Sequence, residues 1–188
     1  MAAKTTLTWQ QINCLVVDYL ACPKDDTAIL DFIYEFVDTY WQSEKLYHSA
    51  VVIFRGPTAP TEALFEELFW QRLQLRANLG AQRYGNDPRV VADPASPELS
   101  FSLKGEAFFV MSLHPGSRRS VRQFQHPTLV FNAHAHFEQI RANGRYNGLR
   151  DTIRTRTAHS SGARCPLGRS PWVSESGWAM PNRGHLWR

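Results

Sequence analysis

The apolar positions of the chain fall into short, separable runs. Ile12, Leu15, Val16, Tyr19 and Leu20 recur at i, i+3, i+4, i+7 and i+8, and Ile29, Phe32, Ile33, Phe36, Val37 and Tyr40 repeat the spacing after Asp26. That period belongs to one face of an α-helix, so the pattern predicts two amphipathic helices joined around Cys22-Pro23, the second capped by Asp26. SAVVIFRGP is a short β-branched run stopped by Gly56-Pro57 and predicts a buried strand. Beyond Pro60, Thr61 is placed to cap a third helix carrying Leu64, Phe65, Leu68 and Phe69. Gly80 to Pro97, with YGNDP inside it, reads as a long loop.

The second half changes character. LSFSLKGEAFFVMSL predicts one or two strands and TLVFN another, with the polar, basic, turn-rich HPGSRRSVRQFQHP between them. Each strand ends at a histidine, His114 or His134. If the two strands are neighbours running the same way, their ends bring both histidines and the arginine-rich loop together. AHFEQIRANG then has Phe137, Ile140 and Arg141 at helical spacing before Gly144, and YNGLRDTIR continues as a short helix. The H-x-H pair His134 and His136 would share one face in a strand but lie roughly 200° apart in a helix. Because the pair sits where strand turns into helix, one histidine acting alone is expected over a shared grip on one metal.

These elements predict an α+β fold: a single domain over 1–156 with an antiparallel or mixed sheet flanked by helices. Residues 157–188 show no helical or alternating period and hold three of the six tryptophans, which predicts an irregular tail. Such a tail reads as an arm packing on a partner subunit, in a homodimer, or as the product of a slipped reading frame.

Composition narrows the classes. A chain of 188 residues, 43% hydrophobic and 20% charged, is long enough for one sizeable core. Asp18 interrupts the first apolar stretch far short of a membrane span, and no basic-then-apolar leader pattern is present, so a cytoplasmic protein is expected. Cys14, Cys22 and Cys165 form no C-x-x-C pair, which argues against a disulfide framework or cysteine zinc site. Cys22 and Cys165 each precede proline, a context known for heme thiolates, but incidental thiols are the plainer reading.

The net charge of +4 is unevenly spread, with Arg118, Arg119, Arg122, Arg141, Arg145, Arg150, Arg154 and Arg156 opposed in that stretch by Glu138 and Asp151 alone. The arginines are not interleaved with aromatics, and no helix-turn-helix, RNP or zinc-finger spacing occurs. A carboxylate-bearing small molecule or cofactor, met by guanidinium forks, is therefore expected in place of nucleic acid.

Four ordered blocks, VVIFRGP, FEELFWQRLQ, SFSLKGEAFFVMSLHPGSRR and PTLVFNAHAHFEQIRANGRYNGLRDTIRTR, resemble the YqcI/YcgG family over about residues 50 to 156. The resemblance implies heme-dependent N-hydroxylation of a guanidine such as L-arginine, using heme b, O2 and an external electron donor or reductase, since no G-x-G-x-x-G fingerprint is present. The family pattern has glutamine where His136 stands, so the resemblance carries His114 and His134 forward as candidate axial ligands. Arg118 and Arg119 become candidates for heme propionates, and Glu106 and Glu138 for the cationic end of the guanidine. The plainer reading of His114 is that it ends a strand and bonds a backbone carbonyl. Two rival functions stand beside this one: a heme sensor or electron carrier with permanent two-histidine ligation, and a non-heme metal enzyme using His114, His134 and His136.

Overall fold

The computed structural model describes residues 12–43, 48–56, 61–90, 100–135, 138, 142–144, 148 and 151. In chain order these form β1 (Ile12–Tyr19), α1 (Asp26–Gln42), β2 (Ser49–Gly56), α2 (Glu62–Ala81), β3 (Phe101–Leu103), β4 (Glu106–Leu113) and β5 (Thr128–Ala133). The strands make one mixed sheet in the order β1-β2-β5-β4-β3, with β1 and β2 parallel and the other pairs antiparallel. The fold is α+β. The expected tail and His136 lie outside the described residues.

The first predicted helix is a strand. INCLVVDY is an almost unbroken apolar run rich in β-branched residues, and such a run satisfies helical spacing without being helical. Pairing decides the matter: Cys14 lies opposite Val51 and Val16 opposite Ile53, in parallel register with β2. A parallel pair needs a long crossover, and α1 supplies it.

Asp26 is not the cap of α1 either. It is the first helical residue, and its carboxylate turns to Arg72 and Arg76 of α2. Asp25 holds the cap position, and its Oδ2 accepts from the Asp18 backbone N–H at 3.0 Å, tying the helix start to the end of β1. Thr61 does cap α2, its side chain accepting from the Leu64 N–H at 3.2 Å.

One face of the sheet carries the core. Val52, Phe54, Phe108, Val110, Leu129, Phe131 and Ala133 alternate onto it and pack against Ile29, Ile33, Phe36 and Val37 of α1 and Phe65, Phe69 and Leu73 of α2. β3 and β4 close through a two-residue turn in which Lys104 and Gly105 both have positive φ, 52° and 70°, as tight hairpins require. Lys104 is held there by the Asp38 carboxylate at 2.6 Å. α2 crosses β3 closely at Gly80, where a Cβ would come within 2.5 Å of Leu103 Cδ2.

Candidate functional site

β4 and β5 are neighbours, but they run in opposite directions, and this separates the two histidines. Phe108 pairs with Ala133 and Leu113 with Thr128. His134 follows one end of this ladder and His114 the other, so at about 3.4 Å per residue they stand on the order of 24 Å apart. One iron cannot be held by both. The two-histidine ligation expected under the sensor reading, and the non-heme set of His114, His134 and His136, are corrected by the same register.

His114 is buried, its ring stacked on Phe65 with centroids 4.6 Å apart. Its Nδ1 accepts the Gly116 N–H at 3.1 Å, its N–H donates to Arg122 O at 3.0 Å, and its carbonyl accepts from Ser117 N at 3.1 Å. In the neutral ring this leaves the proton on Nε2, the tautomer that donates where a ligand must accept. The residue thus ends β4 and organises the HPGSRR turn, with its ring accepting from a backbone N–H where a bond to a backbone carbonyl is expected. That turn docks on the first turn of α2, where Glu62 accepts from Ser117 Oγ at 2.9 Å and from the Arg118 N–H at 3.3 Å. The Arg118 guanidinium is exposed and lies 3.6 Å from Glu62, and Arg119 is exposed beside it.

The other end of the ladder gathers a different set. Glu106, the first residue of β4, is 3% exposed, and its Oε2 accepts from Trp41 Nε1 at 3.1 Å, near the end of α1. Asp87, in the loop after α2, is buried beside it and receives Arg89 in a fork, from Nε at 2.9 and 3.1 Å and from Nη2 at 2.6 Å. The same guanidinium extends to Glu106 at 3.5 Å and to Glu138 at 3.9 Å. Among the described residues, three carboxylates therefore face one arginine, a formal excess of two negative charges.

Burial pushes the Glu106 carboxyl above its usual range, and the Trp41 hydrogen bond and the Arg89 charge only partly offset this. The Ala135 backbone N–H also favours the charged form, while Oε1 is buried and meets no donor within ordinary hydrogen-bond geometry. Burial opposes ionisation of Asp87 too, but the Arg89 fork and the Ala107 N–H at 3.1 Å outweigh it and hold that carboxyl below the usual range. Burial, and then the Glu106 charge, push the nearby Tyr40 hydroxyl up to about 12.

Matched against a model of the YqcI/YcgG family, residues 1–166 align. The chain belongs to the YqcI/YcgG family. The match runs past both ends of the motif blocks and takes in every described element. No curated protein and no solved structure matches the chain. Among the described residues no helix is long and apolar enough to cross a membrane.

Of the residues singled out in the sequence, the structure brings Glu106, Glu138 and His134 to one end of the sheet and leaves His114, Arg118 and Arg119 at the other. His134 directly follows β5 and is half-buried, with its ring stacked on Phe109 at a centroid distance of 3.7 Å. Phe109 alternates with the core residues Phe108 and Val110, so His134 packs on the face away from α1 and α2. Trp41, Asp87 and Arg89 escaped the sequence reading. Asp87 and Arg89 lie in N-D-P-R, where Asp87 Oδ1 accepts the Arg89 N–H at 2.9 Å in an Asx-type turn.

Proposed function

We propose that this member of the YqcI/YcgG family N-hydroxylates a guanidine, L-arginine or a close relative, with heme b as cofactor and an external electron donor. Within the family, the sequence resembles the heme protein of D-cycloserine biosynthesis that makes Nω-hydroxy-L-arginine. The observation that carries the reading is the Glu106 carboxylate: buried, fixed at Oε2 by Trp41, approached by the Ala135 N–H, and short of a full set of donors at Oε1.

The fit of heme to these residues is one-sided. His114 does not suit an axial role, because its Nδ1 accepts the Gly116 N–H and the neutral ring then carries its proton on Nε2. His134 suits it better, since packing on Phe109 fixes its ring plane. A bound heme would supply the activation of dioxygen.

The rest is the chain's own work. Glu106, Glu138 and Asp87 carry more negative charge than Arg89 neutralises, so a second guanidinium is attracted to the cluster. A guanidinium N–H donated to Glu106 Oε1 would fix the orientation of the substrate, and a buried carboxylate is the stronger partner because water cannot compete. Arg89 stays with Asp87, whose bonds to it are much shorter than those of Glu106 or Glu138.

The test is product analysis. The heme-reconstituted full chain, given L-arginine, O2 and a chemical or enzymatic reductant, is expected to yield arginine heavier by one oxygen on a terminal nitrogen. Heme uptake with arginine returned unchanged would contradict the proposal.

A further inference from the structure

A second charge imbalance, of opposite sign, lies in the core. Arg72 and Arg76 are one turn apart on the face of α2 that carries Phe65, Phe69 and Leu73, and both are buried, Arg76 with 0% exposure. Among the described residues they share a single carboxylate. Arg72 Nη2 contacts Asp26 Oδ1 and also donates to the Cys22 carbonyl at 3.2 Å, while Arg76 Nε lies 3.1 Å from the same Asp26 oxygen. Nη1 and Nη2 of Arg76 are buried and make no hydrogen bond. The ring of Phe54 of β2 lies under the guanidinium, its centroid 5.8 Å from Arg76 Cζ.

The charges sum to two positive and one negative, and the start of α1 at Asp26 adds the positive end of a helix dipole. Leaving a desolvated guanidinium with both terminal amino groups unpaired costs far more than an ordinary hydrogen bond returns. Loss of a proton does not relieve it: burial pulls the Arg76 guanidinium down to about 10, still well above neutral pH. Water would satisfy the N–H groups but leave the excess charge in place. An anion does both.

We propose that Arg76, with Arg72 and the start of α1, forms a buried site for one small monovalent anion, a carboxylate or a halide, bound at Nη1 and Nη2 of Arg76. One negative charge balances the cluster, whereas a dianion would overshoot it. The site is separate from the Glu106 cluster. It lies against Phe54, whose N–H donates to Pro127 O at 2.9 Å, toward the His114 end of the sheet.

The test is thermal unfolding of the full chain at constant ionic strength, with sodium chloride or sodium acetate replacing the sodium salt of a sulfonate too bulky to be enclosed. The unfolding midpoint should rise with chloride or acetate, and well above the dissociation constant each tenfold increase in anion should favour the folded state tenfold. A rise with chloride alone assigns a halide and a rise with acetate alone a carboxylate. Arg76→Met keeps a similar stem without the charge and should abolish the response, while being at least as stable as the wild type in the sulfonate. Equal midpoints in all salts, a response to sulfate only, or an undiminished response in Arg76→Met would overturn the proposal. If Arg76→Met does not fold, wild-type crystals soaked in bromide and in acetate decide: an anomalous peak or carboxylate density at Nη1 and Nη2 supports the site, and neither overturns it.

Discussion

His114 and His134 stand at opposite ends of the β4–β5 ladder, beyond the Leu113–Thr128 and Phe108–Ala133 pairs respectively. The antiparallel register gives the sheet two unlike ends. One is a turn tied to the start of α2 by Glu62, and the other is a carboxylate cluster drawn together around Arg89.

The two histidines should therefore respond differently to substitution. His114→Ala removes a buried ring packed on Phe65 and should cost about 2–4 kcal/mol of stability, read by denaturant unfolding. His134→Ala should cost less stability than this and instead weaken heme uptake, measured by titration of the apoprotein. Equal loss of heme affinity in both variants would contradict the assignment.

Glu106 and Asp87 should leave opposite marks on stability against pH. Burial holds Glu106 above 4.5, so the native state keeps a proton that the unfolded chain has released. Its contribution is fully present below 4.5 and declines as pH rises from there through the folded value. Glu106→Gln should flatten that decline in urea unfolding measured at a series of pH values.

Asp87 is held below 3.8, so its contribution is present above 3.8 and lost as pH falls through the folded value. Asp87→Ala should cost about 2–3 kcal/mol near neutral pH, because it strands the Ala107 N–H and the Arg89 guanidinium. It should also lack the wild type's further loss in acid. An unfolding series in which the variant and the wild type run parallel down to acid would count against the ion pair.

The α2 cap offers a control away from both clusters. Thr61→Ala should lower stability by about 1 kcal/mol without altering heme uptake, as unfolding and titration of the same sample will show.

Much of this was legible in the sequence, and the failures have physical causes. α1 carries a helical period, the first two turns of α2 carry another behind the Thr61 cap, and β2, the β3–β4 hairpin and β5 are short apolar runs between turn residues. CLVV fits either period, and only its pairing with β2 makes it a strand. The direction of β5 relative to β4 is not written in the loop from His114 to Pro127, which is long enough for a hairpin or a crossover. Glu106 and Glu138 could be named because the family resemblance implies a guanidine that needs a carboxylate, and both lie in the matching blocks. Asp87 and Arg89 could not, because burial of a loop acid depends on what folds over it. Arg72 and Arg76 occupy core positions of α2, and a reading by hydrophobicity passes over charged residues in that stripe.

The most direct test of the central claim is the absorption spectrum of the heme-reconstituted protein on titration with L-arginine, for the wild type and for Glu106→Gln. The wild type is expected to show a saturable Soret shift, and Glu106→Gln the same heme content with the shift weakened at least tenfold. A Soret band indifferent to arginine in the wild type, or an equal shift in both proteins, would contradict the claim that this carboxylate binds the guanidine.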